Sequence, residues 1–219
     1  MPAPDVPPPA EPARAWARVL EGFVDDEGRV DYAGLARDPA DLRRFVAWIH
    51  AAGIERQPLA FHLDAYNALA MYNALERGVP ASLEGFEKIR FFYLRRFALA
   101  GKAVSLYDYE NDVIRKFGDA RIHFALNCMA AGCPRLPRTP FLAADLDAVL
   151  EREARRFLNE PRNVQVDHGA RTVRLSSIFA FYPEDFPPLL PYVNRHRTER
   201  VPEDYRIAFI PYDWRLNAR

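Results

Sequence analysis

The stretch that decides the interpretation of this chain is YDYENDVIRKFGDARIHFALNCMAAGCPRL, residues 107–136. It contains both cysteines of the chain, Cys128 and Cys133, together with His123 and Glu110. A thiol, an imidazole and a carboxylate are the groups that a cysteine nucleophile, its base and an orienting acid require. This stretch is therefore the candidate site.

Local patterns divide this part of the chain into a helix, a strand and a loop. Residues 105–118 favour a short helix that begins at Ser105 or Asp108 and ends at Gly118. Residues 121–127 are a mostly apolar run of strand length. Small residues and prolines follow. Polar groups at the end of a buried strand often form sites, because a rigid scaffold positions the loop.

The patterns outside this stretch favour helices over strands. Apolar periodicity predicts helices at 13–23, 38–53, 56–77 and 143–159, and a short one within 176–186. Alternation predicts hairpins at 97–105 and 163–176, and the chain ends in a proline-rich tail, FIPYDWRLNAR, at 209–219. We predict an α+β fold, with helices packed on a small, mainly antiparallel sheet.

The longest predicted helix, roughly residues 56–77, is apolar on most of its sides. This composition is typical of a central, buried helix. Asp64, Asn67 and Asn73 are unusual in such a helix, since buried carboxylates and amides need hydrogen-bonding partners.

Composition limits the function classes. The chain has 219 residues, of which 30 are basic and 30 acidic. A zero net charge gives no global field that would attract nucleic acid or an anionic membrane. No apolar run of about 18 residues occurs, so no membrane span is expected. We expect one domain over residues 13–219, well packed because 49% of the residues are hydrophobic.

Residues 1–12 carry half a dozen prolines and predict a disordered arm. The arm lacks the basic and apolar regions of a signal peptide. Two locations stay open: cytoplasmic if Met1 is native, and periplasmic if a signal peptide was removed.

Several segments, taken in order, resemble the domain-of-unknown-function 547 family of bacteria and plants. The resemblance runs through DDEGRVDYAGL (25–35), AFHLDAYNAL (60–69), VSLYDYENDVIR (104–115) and DARIHFALNCMAAGCPRL (119–136), and reappears at RFLNEPRNV, LSSIFAFYPEDF and YDWRLN. The HFALNC…CP element is its most specific part. The resemblance implies a fold similar to cysteine peptidases in a permuted arrangement, and a Cys-His-Glu site.

The chain departs from the family pattern at four positions. Members usually have tryptophan and asparagine where His62 and Asp64 stand. They often have histidine at the position of Asn111, directly after the acidic residue, and serine at the position of Ala130.

Each candidate also has a structural interpretation. Cys128 is a nucleophile, an inert buried thiol, or half of a disulfide with Cys133. His123 is the base or a core histidine, and Glu110 orients it or pairs with Arg115 or Arg121. A zinc site would need a fourth ligand and closer cysteine spacing. No cofactor is therefore expected.

We predict a papain-like, permuted cysteine site that transfers acyl groups from an amide or a thioester. Cys128 attacks, His123 carries the proton and Glu110 holds the imidazole. The predicted binding residues are Asn67, Asn127, Tyr66 and Arg121, with Asn67, Asn127 and the Cys128 amide as candidates for the oxyanion.

Two rival interpretations stay open. In the first, the pocket belongs to a non-catalytic scaffold or binding module that takes a small molecule or peptide, including a thiol-containing one. In the second, Cys128 and Cys133 form a thiol–disulfide pair, although their spacing is not the redox Cys-x-x-Cys pattern.

The segment IRFFYLRRF, residues 89–97, mixes aromatic residues with arginines. A nucleic-acid surface is one interpretation of such a segment. The neutral net charge and the lack of a binding motif favour buried aromatics whose arginines extend to solvent. We therefore predict no nucleic-acid partner.

Overall fold

A computed structural model describes residues 10–52, 57–99 and 101–219. The chain forms two compact units. The first comprises the residues up to Leu146 together with Trp214–Arg219, and the second is Asp147–Asp213. Most of the predicted arm, residues 1–9, lies outside the described residues, but helix α1 already begins at Ala10.

The first unit is mainly helical. Its helices are α1 (Ala10–Phe23), α2 (Tyr32–Arg37), α3 (Ala40–Ala52), α4 (Leu59–Glu76), α5 (Phe86–Ile89) and α6 (Leu106–Asp112). A π-helical turn, Arg90–Leu94, continues α5, and 3-10 turns span Ile114–Phe117 and Ala120–Phe124. The strands β1 (Phe97–Leu99) and β2 (Lys102–Val104) pair antiparallel, which confirms the first hairpin, although Ala100 lies outside the described residues.

Helix α4 is the centre of the first unit, as predicted. Residues 60–71, 73 and 74 are all buried, and helices α2, α3 and α6 contact it. Its leucines and alanines favour the helix and fill the core. Each buried polar side chain of α4 makes at least one hydrogen bond, although Oδ1 of Asn73 has no partner among the described residues. The amide of Asn73, for example, donates to the carbonyl of Phe91 at 3.1 Å.

Asp64 of α4 is buried between α1 and the segment that follows the candidate site. Trp16 Nε1 donates to its Oδ1 at 2.8 Å, and the backbone N–H of Phe141 donates to its Oδ2 at 3.1 Å. Burial raises the pKa of Asp64 to about 8, against the opposing effect of these two hydrogen bonds. The side chain is therefore mostly a neutral acid at pH 7.

The predicted strand at 121–127 is wrong. Residues 120–124 form a 3-10 helix, and residues 125–128 have no regular structure. The side chain of Asp119 accepts the N–H of Arg121 at 2.9 Å and so begins the helix. The carbonyl of Ala125 and the N–H of Asn127 bond to the side chain of Asn67 in α4 instead of to a neighbouring strand.

The second unit contains α7 (Leu146–Asn159, whose first residue belongs to the first unit), α8 (Ile178–Phe181), α9 (Leu189–His196) and a mixed sheet. Strands β3 (Val164–Asp167) and β4 (Thr172–Ser176) form the predicted antiparallel hairpin. Strand β5 (Arg206–Ile210) then pairs with β4 in parallel. These small antiparallel and mixed sheets, together with the helices, confirm the α+β class.

The predicted tail at 209–219 is wrong only at its first two residues, Phe209 and Ile210, which end β5. Helix α9 was not predicted; Pro188 is at its N-cap and Pro191 lies in its first turn. A missing backbone N–H is tolerated there, because the first turn of a helix has no acceptor for it. None of the helices in the described part of the chain has the length and apolarity that crossing a bilayer requires.

Candidate active site

Glu110 is held at the buried side of α6. The helix begins at Ser105, whose hydroxyl accepts the N–H of Asp108 at 3.1 Å in a capping box. This confirms Ser105 as the N-cap. The Glu110 carboxylate accepts the hydroxyl of Tyr66 at 3.1 Å through Oε2. Its other oxygen, Oε1, lies 3.8 Å from Nδ1 of His123.

His123 lies in the 3-10 helix after α6 and is 3% exposed. The structure thus brings the predicted base and the predicted orienting acid together in a buried environment. Nδ1 is the ring nitrogen of His123 that faces Glu110. Arg121, a predicted binding residue, forms an ion pair with Asp119 at 2.8 Å.

Asn67 joins the central helix to the candidate site. Its side chain donates to the carbonyl of Ala125 at 3.0 Å and accepts the N–H of Asn127 at 2.7 Å. One amide side chain thereby satisfies a backbone donor and a backbone acceptor, as a paired strand would. The prediction that Asn67 is buried and hydrogen-bonded is confirmed.

Cys128 lies in a tight turn with an unusual backbone. Asn127 Oδ1 accepts the N–H of Met129 at 2.7 Å, and Asn127 Nδ2 donates to the carbonyl of Pro134 at 2.7 Å. Met129 has a φ of +68°, a backbone conformation that residues other than glycine rarely adopt. Strained residues of this kind are held by their surroundings and are common at functional sites.

The two cysteines are thiols in this structure and are not joined by a disulfide. The backbone N–H of Cys128 donates to Sγ of Cys133 at 3.1 Å. Cys133 is 3% exposed, whereas Cys128 is half-buried. The N–H that would stabilise an oxyanion therefore bonds to a sulfur, which is a weak acceptor.

Residues 214–219 hold this turn from the other end of the chain. The N–H of Ala131 donates to the carbonyl of Arg215 at 2.7 Å, and the N–H of Asn217 donates to the carbonyl of Met129 at 2.9 Å. The side chain of Asn217 also donates to the carbonyl of Gly28 at 3.2 Å. Gly28 has a φ of +76°, and a Cβ there would lie 2.6 Å from the backbone nitrogen of Leu136.

Residues 52–158 match the model of a family described as "Protein of unknown function, DUF547". Over these residues the chain is similar to the DUF547 family. Neither a curated protein nor a solved structure matches the chain. The match is shorter than the resemblance suggested, and the similarity to papain-like peptidases stays a prediction. The DUF547 segment nevertheless contains α4, Glu110, His123 and both cysteines.

The structure gives hydrogen-bonding partners to His62 and Asn111, two of the residues that depart from the family pattern. Nδ1 of His62 lies 2.9 Å from the hydroxyl of Tyr109, and burial lowers the pKa of His62 to about 4. His62 is therefore neutral at pH 7. Asn111 donates to the carbonyl of Tyr107 at 2.9 Å and accepts from Nη1 of Arg115 at 2.7 Å.

Sequence reasoning missed two residues outside the DUF547 segment. The hydroxyl of Tyr32 donates to Oδ1 of Asn217 at 3.3 Å. Burial raises the pKa of Tyr32, and the negative charges that Cys133 and Cys128 carry as thiolates act in the same direction. The signal for Asn217 was the reappearance of the family resemblance at YDWRLN. The signal for Tyr32 was of the same kind, because it lies in DDEGRVDYAGL (25–35), another segment of the family resemblance.

Cys128 is expected to react with iodoacetamide at pH 7 faster than Cys133, because Cys128 is half-buried while Cys133 is enclosed. Mass spectrometry of a time course measures both rates in one sample. The same protein in denaturant is the control, and there the two thiols should react alike. Equal rates in the native protein, or protection of both thiols by a disulfide, would remove Cys128 as the reactive cysteine.

Proposed function

We propose that the DUF547 segment carries a cysteine-dependent acyl-transfer site, acting as a hydrolase or acyltransferase on an amide or a thioester. The observation that supports it is the buried pair of Glu110 and His123, with Nδ1 and Oε1 3.8 Å apart, in the same short stretch as Cys128. In the proposed site the carboxylate orients the imidazole through Nδ1, and Nε2 would be the nitrogen that exchanges the proton with the thiol.

The proposed reaction has two steps, the acylation and the deacylation of Cys128. His123 takes the thiol proton, and the sulfur of Cys128 forms a bond to the substrate carbonyl carbon, whose π electrons move to oxygen. The imidazolium then protonates the leaving nitrogen or sulfur as its bond to carbon breaks, leaving a thioester on Cys128. Water, or another acceptor, then loses a proton to His123 and bonds to the carbonyl carbon of that thioester. The carbon–sulfur bond breaks, and the imidazolium returns the proton to the sulfur, which restores the thiol.

The Cys128 N–H is our candidate donor to the oxyanion. A carbonyl oxygen is a stronger acceptor than the Cys133 sulfur that this N–H contacts, so a substrate has an energetic reason to displace it. Asn67 and Asn127 were the other candidates. Because their amides bond to backbone carbonyls, we assign them to positioning the turn.

A non-catalytic binding or scaffold module is the second candidate. The observation that favours it is the same N–H to sulfur contact between Cys128 and Cys133, since the amide is already engaged. In that function the turn would present a thiol to a small ligand or peptide without any proton transfer by His123.

The experiment that separates the two candidates is the pH dependence of Cys128 alkylation. An isolated cysteine, with a pKa of about 8.5, loses reactivity about tenfold per pH unit below that value. In the acyl-transfer site the rate should stay nearly constant well below pH 8, because His123 receives the proton. His123→Ala should restore the steep fall and slow alkylation at pH 6.5 by about tenfold or more.

Two further variants make the test specific. Glu110→Gln should give an intermediate loss, because it removes the orienting charge and leaves the base. His168→Ala is the matched control, since His168 lies in the β3–β4 turn of the second unit, and its profile should equal the wild type. A wild-type profile of an ordinary thiol, unchanged by His123→Ala, would leave the binding module as the function.

A further inference from the structure

The helix formed by α5 and its π turn has an exposed apolar side. Four residues at helical spacing form it, and we call them the outer stripe: Phe86, Ile89, Tyr93 and Leu94, which are 65%, 47%, 41% and 60% exposed. Tyr107 of α6 is 44% exposed and stacks on Tyr93 with ring centroids 4.6 Å apart. The prediction that the aromatic residues of the segment 89–97 are buried is therefore correct for Phe91 and Phe97 only.

The inner side of the same helix is fixed to the protein. Phe91 is fully buried, and its carbonyl accepts the amide of Asn73 from α4. The outer stripe is therefore held in place by the core and does not belong to a frayed segment. The residues beside it, Arg90 and Arg95, are exposed as well, so the stripe lies at the surface and not on the floor of a groove.

The charges around the outer stripe are mostly positive, although the whole chain is neutral. Residues 84–108 contain five basic and three acidic residues. Two of the acidic residues are already paired: Glu87 contacts Arg77 and Arg90, and Asp108 contacts Arg96. The local surface thus combines exposed apolar side chains with an excess of cations.

We propose that the outer stripe binds an anionic lipid surface. Exposed aromatic and aliphatic side chains enter the boundary between headgroups and acyl chains, while arginine and lysine attract anionic headgroups. Tyrosine, with an apolar ring and a polar hydroxyl, suits that boundary. The helix would lie in the plane of the membrane surface, because its inner side is packed against the protein.

Three other occupants fit the observations less well. A second copy of this chain would bring like charges together across the stripe. A nucleic acid would use the arginines but not the aliphatic Ile89 and Leu94, which do not stack on bases. A peptide in a helix-binding groove needs flanking walls, and the neighbours of the stripe are exposed. The proposal uses none of Cys128, His123 and Glu110, so it stands apart from the proposed reaction.

The test is sedimentation of the full chain with vesicles of phosphatidylcholine, with and without phosphatidylglycerol. We expect binding to the anionic vesicles, weaker binding to the neutral ones, and a loss of the difference at high salt, which screens the charges. Equal recovery in the supernatant with both vesicles would overturn the proposal.

Matched variants test whether the outer stripe is the contact. Leu94→Ser should lower the partition to anionic vesicles by about tenfold, since one apolar side chain no longer enters the membrane. Leu142→Ser is the control, because Leu142 is also 60% exposed but lies outside the stripe, and its binding should equal the wild type. Phe86→Ser is the second stripe variant, and denaturant unfolding verifies that all three are folded.

Two results would contradict the assignment. An equal loss for Leu94→Ser and Leu142→Ser would show that the stripe is not the contact. A single-stranded RNA that binds more tightly than the vesicles, with Arg95→Glu harmful and Leu94→Ser harmless, would assign the surface to nucleic acid instead.

Discussion

As the pH rises from about 4 to about 8, the free energy of unfolding of Asp64→Asn is expected to increase relative to that of the wild type by about 5 kcal/mol. Burial raises the pKa of Asp64 to about 8, from an ordinary value of 3.8. An asparagine has no charge to bury. Its oxygen can accept from both Trp16 Nε1 and the Phe141 N–H, because Oδ1 of Asp64 already lies 2.8 Å and 3.3 Å from them.

The sign follows from the raised pKa. Below about pH 4 the carboxyl is protonated in both the folded and the unfolded chain, so its contribution to stability is complete. As the pH rises to about 8, the unfolded chain releases this proton and the folded chain retains it, so the wild type loses stability. Above about pH 8 the loss is complete.

The measurement is the free energy of unfolding of both proteins in denaturant across this pH range. Taking the difference between them cancels the titration of every other group. Asp41→Asn is the control, because the hydrogen bond from Arg18 holds the pKa of Asp41 below its usual value. The difference in the free energy of unfolding between this variant and the wild type should therefore not change with pH above about pH 5. A flat curve for Asp64→Asn as well would mean that Asp64 is ionised or hydrated in the folded protein.

Replacing Asn67 should destabilise the protein and loosen the turn that carries Cys128. Asn67→Leu leaves the N–H of Asn127 and the carbonyl of Ala125 buried without this partner, which costs about 3 kcal/mol. Asn67→Asp places a carboxylate against the carbonyl of Ala125 and should cost roughly 3–5 kcal/mol. Both variants should also alkylate faster at Cys133.

Denaturant unfolding and the alkylation time course measure these two effects. Asn111→Leu is the matched control, because Asn111 is half-buried on the surface of α6 and bonds to its own helix. It should change the free energy of unfolding by less than about 1 kcal/mol. If Asn67→Leu is as stable as Asn111→Leu, the bonds of Asn67 do not support the turn.

Much of the helical framework could be predicted, because its signals are local. The apolar pattern of α4, the Ser105 capping box and the alternation of the β3–β4 hairpin each depend on residues close in sequence. The predicted strand at 121–127 failed for the opposite reason. Its partner is the side chain of Asn67, about sixty residues away, and no period in the sequence indicates such a contact.

The candidate site was predicted as a set of residues and not as a geometry. Glu110 and His123 were paired because they share one stretch, and the structure brings them to 3.8 Å. The left-handed backbone at Met129 and the Cys128 N–H to Cys133 contact depend on a turn that distant segments hold. The exposure of the outer stripe was also missed, because aromatic content predicts burial on average but not at a given residue.

The order of the two units along the chain has a consequence for how the Cys128 turn assembles. The strand-like segment 214–219 completes the first unit, but the whole second unit, residues 147–213, separates it from α1–α6. During synthesis, Cys128 leaves the ribosome long before Arg215 and Asn217 exist to hold its turn. Once the Cys128 turn and residues 214–219 have both been synthesised, bringing them together costs loop-closure entropy, which depends on the chain that connects them. If residues 147–213 fold first, that connection has fewer conformations, so the entropy of closing the loop is set by a folded unit and not by a flexible chain of the same length.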